Sequence, residues 1–89
     1  MIILATDTFQ EQLKNILEGF AQKDIAATKN FKMYLDTIII NMPTKAKKYK
    51  KSIYFNDENI RDIEHQGFLI PFLMDETEDK YILLGIVEK

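Results

Sequence analysis

The stretch Gly67-Phe68-Leu69-Ile70-Pro71-Phe72-Leu73-Met74 decides the fold of this chain. After the glycine it is apolar at every position, so both sets of alternating side chains need cover. A short run of that kind, bounded by turn residues, reads as a strand in the middle of a sheet with a layer over it. Pro71 has no N–H to give to a ladder, so a bulge or an incompletely paired neighbour is expected there. Upstream, Ile60–His65 alternates apolar and polar until Gly67 breaks the pattern. Downstream, the charged turn Asp75–Asp79 leads to a last strand, Lys80–Val87. Connections this short join antiparallel neighbours.

Further upstream the hydrophobic period is 3.6 rather than 2. Phe9, Leu13, Ile16, Leu17 and Phe20 form one helical stripe. Its start is marked by Thr8 with Glu11 at capping-box spacing, or by Thr6 or Asp7 as alternative caps. Asp24 caps a second helix whose stripe is Ala27, Phe31, Tyr34, Leu35, Ile38 and Met42, with Pro43 as the stop signal. The short link at Lys23–Asp24 makes the pair an antiparallel helical hairpin. Met1–Ala5 is a short apolar run suited to a buried strand. The expected architecture is α+β over residues 1–89 as one domain: a short N-terminal strand, then a helical hairpin packed on a C-terminal three-stranded antiparallel sheet.

Composition narrows the function classes. There is no cysteine and a single histidine, which removes disulfides, thiolate chemistry and the usual zinc sites. No cofactor is expected. The N-terminus lacks a basic lead and a long apolar core, and no run approaches a membrane span, so the expected setting is cytosolic with no membrane partner. The net charge of −2 conceals a segregated layout. Residues 29–55 carry seven lysines against Asp36 alone, whereas residues 56–89 carry Arg61, Lys80 and Lys89 against nine acids.

The basic excess is concentrated in Lys45-Ala46-Lys47-Lys48-Tyr49-Lys50-Lys51. Like charges this close repel one another and stay solvated until an anionic surface neutralises them. Lys45, Lys47, Lys48, Lys50 and Lys51, with Tyr49 among them, are therefore the candidate surface for nucleic acid or an acidic protein. The plainer reading is a solvated loop that keeps a small domain soluble. Tyr49 and Tyr54 could stack on bases, and Tyr54 could equally close the edge of the core.

Two other side chains could carry chemistry. His65 alone has an ordinary pKa near neutrality, against a structural reading as a hairpin histidine with local hydrogen bonds. Arg61 is the only arginine; its structural reading is an ion pair with Asp57, Asp62 or Glu64, or a contact for a protein partner. The two stand roughly 13 Å apart along an extended strand, too far to hold one phosphate together. Glu76, Glu78 and Asp79 read as a solvated turn.

The order strand, helix, helix, three strands, with Lys51-Ser52-Ile53-Tyr54-Phe55, Asn59-Ile60-Arg61-Asp62-Ile63 and Gly67-Phe68-Leu69-Ile70-Pro71-Phe72, resembles the RelE/ParE superfamily of bacterial type II toxins. In that family a basic loop leads to a strand, Gly-aromatic opens the central strand, and an apolar last strand follows. The resemblance implies a growth-inhibiting, plasmid-stabilisation-like toxin held in check by a cognate antitoxin. It also implies one of two targets: DNA gyrase, in the ParE-like branch, or the ribosome and its messenger RNA, in the RelE-like nuclease branch.

The nuclease branch places a basic residue just after Gly-aromatic and a polar residue on a C-terminal extension. Here the first position is Leu69, and Lys89 follows the last strand directly. The expectation therefore leans to the gyrase route. A ribosome-dependent endoribonuclease using Lys50, Lys51, Arg61 and His65 is the alternative. A non-toxic binding module with the same fold is a second alternative.

Overall fold

A computed structural model describes all residues, 1–89. Its elements are β1 (Ile2–Ala5), α1 (Asp7–Ala21), α2 (Ile25–Lys45), β2 (Ile60–His65), β3 (Phe68–Asp75), β4 (Lys80–Leu83) and β5 (Val87–Glu88). The α+β class and the order strand, helix, helix, then antiparallel strands are as expected, with the short β5 in addition. The strands lie in the order β1-β4-β3-β2, with β5 also pairing with β3. Strand β3 is central: antiparallel to β2 from Ile60↔Leu73 to His65↔Phe68, and to β4 from Phe72↔Leu83 to Asp75↔Lys80.

The two helices cover one face of this sheet. Phe9 of α1 and Phe31, Leu35 and Met42 of α2 pack with Ile63, Ile70, Phe72, Met74, Leu83 and Ile86 in one core. Along β3 the helix-facing positions are thus Phe68, Ile70, Phe72 and Met74. Phe20, Phe31 and Phe68 meet edge-to-face with centroids 5.1 to 6.0 Å apart, closing the end of the core near the β2–β3 turn. That turn is tight because Gln66 and Gly67 both have positive φ, 47° and 87°, the backbone of a two-residue hairpin whose twist suits the flanking strands.

The irregularity expected at Pro71 is present. Phe72 pairs with Leu83 and Leu69 with Val87, so Ile70 and Pro71 face the longer stretch Leu84-Gly85-Ile86. The last strand is therefore divided into β4 and β5 rather than running unbroken from Lys80 to Val87. Leu84 N–H donates to the Pro71 carbonyl at 2.8 Å, and Pro71 has no N–H to return. The Leu84 carbonyl instead accepts from the Thr6 hydroxyl at 3.2 Å. Ile86 N–H donates to Gln12 Oε1 at 2.9 Å, and a Cβ on Gly85 would stand 2.7 Å from that same oxygen. Glycine at 85 is what lets α1 reach the gap.

Several expectations are corrected. Thr6, not Thr8, caps α1 by accepting from Phe9 N–H at 3.1 Å. Asp24 does cap α2, accepting from Ala27 N–H at 3.1 Å. Pro43 does not end that helix, which continues to Lys45. Its cost is one missing backbone bond near the helix end. The continuation carries Ala46 into the core on the same side as Met42. Ala27 and Tyr34 of the expected stripe are exposed, and Ile39 packs on the core instead. β1 is an edge strand, parallel to β4; Ile2 and Leu4 remain 48% and 44% exposed, so it is not a buried strand. No helix is long and apolar enough to cross a membrane.

Candidate functional site

The lysine run is not a free loop. Lys45 is the last residue of α2, and Ala46–Lys48 form a 3-10 turn. Ala46 is buried and Tyr49 packs edge-to-face on Phe72 at 5.7 Å. Two apolar anchors thus hold the segment down, while Lys45, Lys47, Lys48, Lys50 and Lys51 all point their heads to solvent. Lys51 then bridges to Arg61, with Asp62 N–H donating to the Lys50 carbonyl at 3.0 Å and Ser52 N–H to the Ile60 carbonyl at 2.8 Å. Residues 50–52 therefore act as a fragment of strand outside β2. The strand expected to follow does not continue. Ile53, Tyr54 and Phe55 are exposed, Ile53 at 74%.

Because the 3-10 turn rotates the chain, the lysines serve two surfaces rather than one. Lys45, Lys47 and Lys48 line a cleft of about 330 Å³ against Glu76, Asp79 and Tyr81, where Lys47 pairs with Glu76 at 3.4 Å. Lys48, Lys50 and Lys51 line a second cleft of about 450 Å³ with Asp62, Glu64, Leu69 and Lys89. The register puts Asp62, Glu64 and Leu69 opposite the helix face, so this second cleft opens on the outer face of the sheet. Lys89 pairs with Glu64 at 2.9 Å. Asp62 Oδ2 accepts from Ile53 N–H at 3.0 Å, and its Oδ1 is buried without a partner. Lys45, Lys48, Lys50 and Lys51 form no ion pair, leaving the cleft cationic.

Arg61 and His65 lie on the other side. Both alternate with Asp62 and Glu64 and so face the helices. Arg61 makes no ion pair with Asp57, Asp62 or Glu64. Its Nη1 donates to the carbonyls of Tyr49 at 2.7 Å and Lys47 at 3.2 Å, and its Nε to that of Glu58 at 3.0 Å. It clasps the connector to β2. His65 is 4% exposed against the Phe31 ring, and its Nε2 has no hydrogen-bond partner. It is a core histidine rather than a turn residue with local bonds. In this arrangement neither side chain opens on the cationic cleft. The sequence reading missed the carboxylates Asp62 and Glu64 as cleft residues, although their alternation with Arg61 and His65 already placed them on the opposite face.

Burial of the Tyr49 ring raises its phenol pKa above the ordinary value of 10.0. A raised value favours the neutral phenol in the folded chain. The associated stability is complete below the unfolded pKa and is lost as pH rises past it. Tyr49→Phe should therefore flatten the decline in urea midpoint expected above about pH 10; an identical decline in the variant would refute the assignment.

The comparisons fit this geometry. The chain is similar to the solution structure of the conserved hypothetical protein HP0892 from Helicobacter pylori, with a TM-score of 0.62 and 17% identity over 99% of this chain and 93% of that one. The two chains share the α+β fold, a helical hairpin laid on one face of a mainly antiparallel sheet. No protein-family model and no curated protein matches the chain. At this identity the likeness speaks for the fold. Within that fold, the Gly67-Phe68 pair opens the central strand, and Leu69 sits on the floor of the cationic cleft.

Proposed function

We propose that this chain is the toxin of a type II toxin–antitoxin pair, acting by the ParE-like route on DNA gyrase and neutralised by an acidic antitoxin. The observation that carries the reading is the pairing of this fold with an exposed cationic cleft on its uncovered sheet face. Lys48 and Lys50 stand there without carboxylate partners, a standing attraction for an acidic chain. The gyrase route is favoured over cleavage because the cleft floor is Leu69, and Arg61 and His65 are turned into the fold. Cleavage of RNA needs a base for the 2′-hydroxyl and an acid for the leaving oxygen.

Induced expression of the chain should arrest growth, and the purified protein should inhibit gyrase supercoiling while leaving messenger RNA intact in a translation extract. Intact supercoiling together with cleaved message would transfer the proposal to the ribosome. The cleft supplies a specific ground for that second reading: Lys50, Lys51 and Lys89 could hold a phosphate beside Asp62 and Glu64. Unimpaired growth would leave the non-toxic binding module. For the complex, Lys48→Glu with Lys50→Glu should weaken antitoxin binding by about tenfold or more and flatten its salt dependence. Unchanged affinity in a calorimetric titration would remove the lysines from the interface.

A further inference from the structure

Ile53, Tyr54 and Phe55 put three large apolar side chains in a row at the surface, exposed at 74%, 48% and 41%. Single exposed apolar residues are ordinary, whereas contiguous ones mark an interaction site. The segment that carries them is held at both ends. Ser52 N–H donates to the Ile60 carbonyl at 2.8 Å, and Ile60 N–H to the Asp57 carbonyl at 3.1 Å. Between these bonds, Ile53 N–H donates to Asp62 Oδ2 at 3.0 Å and Tyr54 N–H to Ser52 Oγ at 3.2 Å. Lys51 Nζ reaches over to Asn56 Oδ1 at 3.1 Å. Local bonds thus hold the bend in place with its apolar side chains outside the core.

This apolar bend adjoins the densest positive charge of the chain. Ile53 lines the same cleft as Lys48, Lys50 and Lys51, none of which forms an ion pair. Over residues 45–58 five lysines stand against Asp57 and Glu58 alone. Asp57 is itself engaged, accepting from Asn59 N–H at 2.8 Å.

We infer that this end of the molecule docks on an anionic bilayer surface, with Ile53, Tyr54 and Phe55 entering the headgroup layer and Lys48, Lys50 and Lys51 lying over its phosphates. The inference goes beyond the toxin reading and does not depend on it. An anionic leaflet attracts clustered lysines, and stable peripheral anchoring takes a second, apolar signal beside them. Here the two are adjacent. A tyrosine suits the headgroup level, where its ring finds apolar atoms and its hydroxyl finds water. A nucleic acid fits less well, because isoleucine, the most exposed of the three, has no flat face to stack on a base. A rigid protein groove fits less well too, since consecutive side chains on a bend diverge and a soft layer takes all of them. No helix is long and apolar enough to cross the bilayer, and the docking inferred is peripheral.

The chain has no tryptophan, so Ile53→Trp gives the bend a single fluorescent reporter. Ile25→Trp is the control: Ile25 is 63% exposed and lies about 30 Å along α2 from Lys45. The full-length protein is mixed with vesicles of phosphatidylcholine, with and without phosphatidylglycerol. With the anionic vesicles alone, the Ile53→Trp emission should shift to the blue and be quenched by brominated acyl chains, while that of Ile25→Trp stays unchanged. In vesicle sedimentation, Ile53→Ser with Phe55→Ser should lower partitioning about tenfold, and so should Lys48→Glu with Lys50→Glu. Leu13→Ser on α1 should leave it as it is.

Absence of binding, equal binding to the neutral vesicles, or an unshifted Ile53→Trp emission on bound protein would overturn the docking surface. Partitioning that survives Ile53→Ser with Phe55→Ser would reduce it to adsorption by charge and overturn it as well. A single-stranded RNA or an acidic peptide that shifts the Ile53→Trp emission where anionic vesicles do not would give the bend to that ligand instead. Growth arrest and gyrase inhibition are scored separately, so the toxin reading stands or falls without reference to the vesicles.

Discussion

Phe72→Ala is expected to bring this chain to the edge of unfolding. The side chain is fully buried at the middle of β3 and touches both the helical layer and Tyr49. Removing a buried phenylalanine costs about 3–5 kcal/mol in lost transfer energy and cavity. A domain of this size holds roughly 5–15 kcal/mol in total, and small ones lie at the low end. Denaturant unfolding would show a midpoint shifted by much of its range, or no folded baseline. Leu73→Ala, on the same strand but half-buried on the outer face, should cost distinctly less. Equal losses from the two substitutions would contradict the one-sided core described for this sheet.

Arg61→Ala should be the most damaging change outside the core. Its guanidinium satisfies carbonyls of Lys47, Tyr49 and Glu58 at once, and hydrogen bonds to charged groups contribute about 1.5–3 kcal/mol. Truncation leaves the connector tied by Ala46 and Tyr49, two backbone bonds to β2 and the Ile53–Asp62 bond. A loss of about 2–3 kcal/mol is expected. Amide exchange should accelerate first at Ser52 and Asp62, whose N–H groups cross between the connector and β2. Arg61→Lys should rescue little, because an ammonium has no planar fork to span separated acceptors. If exchange at Ser52 and Asp62 were unaltered, the clasp would carry no weight.

Elements whose residues all obey one period were legible from sequence. The central strand, the alternation of Ile60–His65 and the turn at Gly67 depend on neighbours a few residues away, and each stands where its pattern put it. Pro71 even announced its own bulge. What was hidden depended on residues distant in sequence. Pro43 carries a local stop signal, yet the helix runs on to Lys45 and delivers Ala46 to a core whose other members come from distant strands. Ile2 and Leu4 look like a core strand until β4 is known to lie on one side of them and nothing on the other. The lysine run looks like one face because charge has no period, and only the 3-10 turn divides it. Arg61 was paired on paper with carboxylates nearby in sequence, whereas its partners are carbonyls that the connector brings from behind. His65 has no sequence signal separating a core histidine from a reactive one.

The parallel pairing of β1 with β4 joins Ile2 to Lys80, nearly the full length of the chain. Contacts of such separation form late, because a long loop must close before they return any energy. On the ribosome the helical hairpin can assemble while synthesis continues, but the N-terminal segment has nothing to pair with until the last strands have emerged. A nascent chain halted before residue 80 would therefore carry an open sheet edge and an uncapped start to α1, since Thr6 also takes its acceptors from Leu83 and Leu84. The N-terminal edge of the sheet and the first turn of α1 are thus completed together, by residues 80–84.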